Sequence, residues 1–268
     1  MKIIISRKGF DWANGGMPSP ILPDGTMVSM PIPSGKVDVV KYRDLNINGF
    51  NYYKIWKELC PNGNHTTYCH LDPDIRKDII KRNKNWVPAF GQIGASETHL
   101  EKYHVQVGDI FLFFGWFRQT ELVDEKLRYV KGSNDIHALY GYLQIGKITK
   151  GKDVEKYKWH PHSHRDLESN NTIYEASKKL MFGKEKTNLA GAGVFKFSNR
   201  VVLTKKGESR SRWDLPDFFK DVEISRHNKS NFKNGYFQSV AIGQEFVISE
   251  NKKITKWAKN IILNNIDI

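Results

Sequence analysis

Ile3 to Ile5, between Lys2 and Ser6, form an unbroken β-branched run that reads as a buried strand. The run ends in Arg7-Lys8-Gly9-Phe10-Asp11. A Gly/Pro-rich stretch follows from Asn14 to Gly25, where the Asp24-Gly25 pair marks a turn. Thr26 to Ile32 is expected to return as a strand. Asp109 to Phe117 is the most hydrophobic segment, and its nine residues suit a strand buried on both faces. Ile136 to Ile148 alternates imperfectly, and Gly141 inside it predicts a bulge or bend. Thr66 to Leu71 and Gln244 to Ser249 read as further strands, and Val194 to Leu203 as a hairpin with Asn199 near its turn. Helical patterning is scarcer. It covers Tyr52 to Glu58, Glu97 to His104 with Ser96 as N-cap, Asn171 to Leu180, and Leu215 to Phe219 with Pro216 at its second position. Lys252 to Leu263 forms an amphipathic helix with Ile254, Trp257, Ala258, Ile261 and Ile262 on one face. Strands and helices mix without strict βαβ alternation, repeats or a low-complexity linker. The expected fold is therefore α+β, a single domain over residues 1–268. It has a mixed, mostly antiparallel sheet or a partly closed barrel, with peripheral helices.

Composition narrows the class. Of 268 residues, 39% are hydrophobic and 12% aromatic, enough for a core and too many for global disorder. Two Cys exclude a disulfide scaffold, and both are expected as reduced thiols in the cytoplasm. No run reaches the roughly 18 apolar residues of a membrane span. The N-terminus is charged by residue 7, too early for a signal peptide. Lys and Arg total 42 against 29 Asp and Glu, a net charge of +13 that predicts a polyanionic partner, nucleic acid first. An AT-rich genome also inflates Lys and Asn. Much of the excess, at 150–158 and 252–259, falls where solvation explains it. The informative cations are Arg7, Lys8, Arg118, Arg210 and Arg212, which lie beside glycines, aromatics or histidines.

Four constellations carry candidate chemistry. The N-terminal strand delivers Arg7, Lys8 and Asp11 into a loop with Gly15, Gly16, Ser19 and Asp24. Basic side chains beside glycines suit a phosphate, and Asp11 suits a base or metal ligand. The loop is neither a Walker A motif nor GxGxxG, and the competing reading is a solvated loop capping a sheet. In the second, His160, His162 and His164 alternate ahead of Asp166. On a strand, these four would have zinc-ligand character. Pro161 opposes a regular strand, and neither a Cys pair nor HExxH accompanies it. The reading preferred here is a histidine general acid/base or phosphate contact, with an exposed loop as the alternative. No metal ligand is assigned and no cofactor is named. Asn171, Tyr174 and Ser177, at i, i+3 and i+6 of the predicted helix, either line the same pocket or form its solvent face. In the third, Arg210 and Arg212 next to Trp213 suit a phosphate clamp plus base stacking, or else a basic turn. The fourth, Phe90-Gly91-Gln92 running to Glu97, is a generic anion site before a helix. Asp72 and Asp74 flank Pro73 as a carboxylate pair or a turn. Cys60 and Cys69 lack partners at metal spacing.

Taken together, several segments resemble the third family of nucleotide-modification-associated domains. They are Ile5-Ser6-Arg7-Lys8-Gly9-Phe10-Asp11, Gly15-Gly16, Pro18 to Gly25, Pro31-Ile32-Pro33, Phe90-Gly91-Gln92, Phe113 to Arg118 and His160-Pro161-His162. The likeness continues through Asn171 to Tyr174, Gly191-Ala192-Gly193, Arg210-Ser211, Trp213 to Pro216, Gln244 to Val247 and Trp257-Ala258. It spans nearly the whole chain. It implies an α+β protein of bacteria or phages in a DNA-base-modification setting, and transfers no catalytic residue. Gly108 to Phe114 with Tyr140 to Ile148 also looks like the core strands of PUA-like barrels of the ASCH and EVE types, which hold a nucleotide or modified base beside aromatics.

These readings favour an enzyme acting on a nucleotide or a DNA base. Asp11, His160 and His162 would be catalytic. Arg7, Lys8, Arg118, Arg210, Arg212, Trp213, Asn171 and Tyr174 would bind nucleotide or phosphate, with Trp116 or Trp213 stacking on the base. The alternatives are a PUA-like reader of modified bases coupled to restriction or modification, a metal-dependent nuclease, and a scaffold. The expected partners are DNA or a nucleotide and other DNA-modification enzymes, with no membrane.

Overall fold

In a computed structural model that describes residues 1–165, 170–241 and 243–267, one curled sheet organises the chain. Its nine strands are β1 (Ile3–Arg7), β2 (Ser19–Ile21), β3 (Ala89–Gln92), β4 (Ile110–Val123), β5 (Lys126–Tyr129), β6 (Ile136–Lys150), β7 (Thr172–Ala176), β8 (Ala192–Val194) and β9 (Glu245–Ile248). The order is β9-β1-β4-β6-β7-β3, with β8 also on β6 and with β2 and β5 on β4. β1 and β2 run parallel to β4, and the remaining pairs are antiparallel. The fold is thus α+β with a mixed, mostly antiparallel sheet.

The two apolar runs of the sequence are its centre. Ile3, Ile4 and Ile5 of β1 lie beside Ile110, Phe111 and Leu112 of β4, all essentially buried. Gly141 marks a bulge as expected: the β6–β4 register slips between Leu139 and Gly141. A Cβ there would come within 2.6 Å of Ile75 and 2.9 Å of the Gly193 carbonyl, so a larger residue would push two neighbours apart.

Several expectations are corrected. The sheet does not close into a barrel, and the PUA-like likeness does not extend to the architecture. Its edges, β3 and β9, meet only through side chains, Gln92 donating to Glu245 at 2.6 Å. The expected helix from Asn171 is strand β7, because β6 and β3 on either side offer backbone partners that outweigh local propensity. The Asn171/Tyr174/Ser177 helical face therefore does not exist. The Val194–Leu203 hairpin is replaced by β8 and a 3-10 turn at Asn199–Val201. Thr26 and Met27 make only isolated bridges, and the strand begins at Ile32. Leu215 to Phe219 becomes a 3-10 turn at Asp217–Asp221.

Among the described residues, three α-helices pack around the sheet: α1 (Tyr52–Leu59), α2 (Gly94–Lys102) and α3 (Lys252–Asn265). Asn51 and Asn251 cap α1 and α3 by accepting from two backbone N–H groups each. α2 starts two residues before the expected cap, so Ser96 lies inside its first turn.

A second core lies beneath the Gly/Pro-rich segment. Phe10, Met17, Val28, Met30, Tyr42, Leu45, Ile55 and Trp56 cluster there, with Phe10 edge-on to Trp56 at 5.0 Å. Each such large apolar side chain contributes roughly 1.5–3 kcal/mol on burial. This core anchors the short ribbon of Ile32–Ser34 and Tyr68–His70, from which the chain delivers His70 and Asp72 to the sheet.

Candidate functional site

The end of β1, the Ile32–His70 ribbon, the end of β3, the turn at Pro161–His164 and the residues Ala241, Gly243 and Gln244 enclose a cleft of about 590 Å³. Arg7, Lys8, Asp11, His70, Asp72, Gln92, His162 and Arg165 face it. Two separate stretches predicted from sequence, the N-terminal loop and the histidine-rich turn, thus share one site.

Asp72 is the pivot. Its Oδ1 accepts from the Gly91 N–H at 2.9 Å and lies 3.2 Å from His160 Nε2, close but off the ideal hydrogen-bond line. His160 Nδ1 accepts from the His162 N–H at 3.3 Å, so the His160 proton sits on Nε2, facing Asp72. Burial works against an ionised Asp72. The His160 contact and the surrounding imidazoles outweigh it and hold the carboxyl below the usual range. Asp72 Oδ2 points the other way, 3.9 Å from His162 Nε2.

The two cleft histidines are each oriented from behind. Asn171 Nδ2 donates to the His162 carbonyl at 2.8 Å, leaving Asn171 Oδ1 to accept from His162 Nδ1, also at 2.8 Å. Nε2 therefore carries the lone pair. Burial pushes the His162 pKa down to about 3, so the ring is neutral at physiological pH. His70 Nδ1 lies 3.1 Å from Oδ2 of the buried Asp38. Arg165 Nη2 lies equally 3.1 Å from His70 Nδ1, but Arg165 has the Asp38 carboxylate as its acceptor and that carboxylate only accepts, so the arrangement that satisfies all three groups puts the His70 proton on Nδ1 and leaves Nε2 bare. Arg165 Nη2 reaches the same Asp38 oxygen at 3.1 Å. Burial disfavours the Asp38 anion, but His70 and Arg165 overcome it and lower its pKa. Gly91 makes room for this cluster: a Cβ there would come within 2.4 Å of the His162 ring and 2.8 Å of His160.

The basic wall is tied down. Arg7 donates through Nη1 and Nη2 to the Ala241 and Val240 carbonyls at 2.6 and 2.7 Å. Lys8 Nζ binds Gln244 and the buried Glu245 at 3.0 Å each, and sits 4.5 Å over the Phe90 ring. Asp11 accepts from the Asn14 backbone at 2.7 Å. Arg210 stacks on Trp116 at 4.2 Å and on Trp12 at 5.6 Å, close enough to Arg7 and Asp11 for their charges to be felt.

Other predicted residues lie elsewhere. His160 is fully buried behind Asp72 and does not line the cleft. Trp213 is a core residue, packed on Phe114 and donating to His137 at 3.1 Å, so its faces are covered. Arg212 pairs with Glu208 at 2.7 Å and lies over Tyr236. Arg118 sits between Ser133, Asp135 and Tyr129. The Tyr174 hydroxyl is buried, donating to Glu97 at 2.8 Å. Pro161–His164 is a 3-10 turn capped by His160, so His160, His162 and His164 do not share a strand face: His164 is exposed, and Asp166 lies outside the described residues. The sequence reading missed His70, Asp38, Arg165 and Trp12. The available signal was His70 at alternate spacing before Asp72, which would put both on one side of an extended chain.

Fold and cleft together define an α+β protein with a buried histidine–carboxylate cluster and a basic wall at one end of its sheet. The chain belongs to the nucleotide modification associated domain 3 family, whose family model matches residues 2–249. No curated protein and no solved structure matches it. Among the described residues, no helix is long and apolar enough to cross a membrane.

Proposed function

We propose that the chain is an enzyme acting on a nucleotide or on a base within DNA, and that the reaction takes place in the cleft. One observation carries this reading. The cleft gathers cations from the N-terminal loop and an oriented His70–Asp72–His162 cluster from two other parts of the chain, inside a family associated with nucleotide modification. Arg7, Lys8 and Arg165 provide hydrogen-bond donors for a phosphate. Asp11 faces the cleft as the proton-transfer group, and neutral His162 presents a bare Nε2 toward Asp72. Trp12, 69% exposed, packs at 4.9 Å against Trp116 with the rings tilted by 42°, beneath Arg210. It is the aromatic face available to a base, in place of Trp213.

The test is incubation of the protein with unmodified and hypermodified duplex DNA, and with free nucleotides, in the presence of divalent metal. Mass spectrometry of the digested nucleosides reads base chemistry, and a gel reads cleavage. The expected result is a changed nucleoside mass that is lost in Asp72→Asn. Strand cleavage without a mass change would favour the nuclease reading. No product in any arm would overturn the enzyme assignment.

A further inference from the structure

The ligand atoms of His70, Asp72 and His162 lie within 4.8 Å of one another, at the cleft wall. Their back sides are committed. His70 Nδ1 is held by Asp38, His162 Nδ1 by Asn171, and Asp72 Oδ1 by the Gly91 N–H. The acceptors left over are Asp72 Oδ2, His162 Nε2, which lies 3.9 Å from it, and His70 Nε2. Three acceptors converging without a proton between them repel, and a cation at their centre adds an attraction to each that outweighs this repulsion.

We propose that His70 Nε2, Asp72 Oδ2 and His162 Nε2 bind one divalent first-row transition metal ion, with its remaining coordination positions open to the cleft. Two imidazoles and one carboxylate are borderline ligands that favour such ions over Mg²⁺ or Ca²⁺, which prefer oxygen. Bonds of about 2.0–2.2 Å require each side chain to move in by under about an ångström, which rotamer adjustment supplies. The outer hydrogen bonds are those that commonly fix the tautomer of a ligating histidine: a carboxylate behind His70 and an amide behind His162.

The ion also resolves the charge of the cleft. Arg7, Lys8 and Arg165 face Asp11 and Asp72, with Asp38 and Glu245 directly behind them. Cations and carboxylates nearly cancel, so the wall by itself attracts an anion poorly. A divalent ion tips the balance positive where a phosphate or a polarised base oxygen would bind. In this respect the inference extends the nucleotide reading, but metal binding itself does not depend on that reading.

The experiment strips the full-length protein with EDTA and titrates it with Co²⁺, followed by its visible d–d bands, and with Zn²⁺ against a chelator of known affinity. One equivalent should bind. His70→Ala and His162→Ala should each weaken binding by about 100-fold or more, and Asn171→Ala by about 10–100-fold. His164→Ala, in the same turn but exposed, should bind as the parent does. This separates the three-dimensional site from the linear run of histidines. Circular dichroism checks folding, and His70→Gln replaces any alanine variant that fails it. Unchanged binding in the His70 variants, or no binding by the parent, overturns the site. Intact metal binding without any nucleoside product would count against the substrate reading alone.

Discussion

Asp72 and Asp74 flank one proline, and their side chains are 5% and 1% exposed, yet their surroundings differ in kind. Asp74 is saturated. Arg82 grips both of its oxygens, at 2.9 and 2.5 Å, Trp86 Nε1 donates at 2.8 Å, and the Arg82 guanidinium lies 4.4 Å over the Trp86 ring. Asp72 has one oxygen held and the other turned to two imidazoles across a cleft. A buried carboxylate whose lone pairs are all matched is a structural element. One with an idle oxygen among lone-pair nitrogens has been desolvated without full compensation, and a protein tolerates that where the oxygen has chemistry to do.

The largest effect that would break this comparison is on stability. Arg82→Ala leaves Asp74 buried and unpaired, at an expected cost of about 3–5 kcal/mol. For a chain of this size that is a fall of roughly 10 °C in Tm, read by differential scanning calorimetry. Asp72→Asn should cost no more than about 1–1.5 kcal/mol, because the amide keeps an acceptor for Gly91, while abolishing metal binding and product. If the two substitutions destabilise equally, the division between structural and functional carboxylate fails.

Much of the frame, and half of the site, was legible in sequence. Ile3–Ile5 and Ile110–Phe117 announce themselves because strands buried on both faces are continuous apolar runs, and β1 ending in Arg7-Lys8 pointed to a site at its tip. β7 was not legible. Thr172 to Ala176 has no strong period of its own, and its strand state comes from β3 and β6 on either side. Trp213 misled because an Arg-Trp pair looks the same whether the ring is in solvent or in the core. His70 left only the faint signal of its alternate spacing before Asp72, for a related reason: a single histidine in a short strand acquires its full meaning only when Asp38 and His162 are brought beside it.

A smaller effect is the acid limb of stability in the metal-free chain. His162 has its pKa lowered by burial to about 3, so the folded form resists a proton that the unfolded chain takes up near 6.5. The unfolded state then binds more protons, and stability is lost as pH falls from about 6.5 toward 3. His137 is also pushed down, by burial and by Arg7 and Arg210, and steepens the same limb. Denaturant unfolding across this range should show a shallower decline in His162→Gln than in the parent. Saturating Zn²⁺ should deepen the decline in the parent only, because protons compete for His162 Nε2.

The smallest effect concerns the basic wall, where two neighbouring cations should separate. Lys8 pairs with the buried Glu245, which keeps Gln92 as a donor, so Lys8→Ala should lower Tm by less than Arg82→Ala does, and lower anion affinity with it. Arg165 shares Asp38 with His70 and is about one-third exposed, so Arg165→Ala should be nearly silent in Tm. On DNA, removing one phosphate contact should reduce the slope of log K against log salt by about 0.9, uniformly over sequence. The slope thus discriminates where Tm does not. An unchanged slope in Arg165→Ala, with metal binding intact, would mean that Arg165 only positions His70. The phosphate would then have to be held by the metal ion and Arg7.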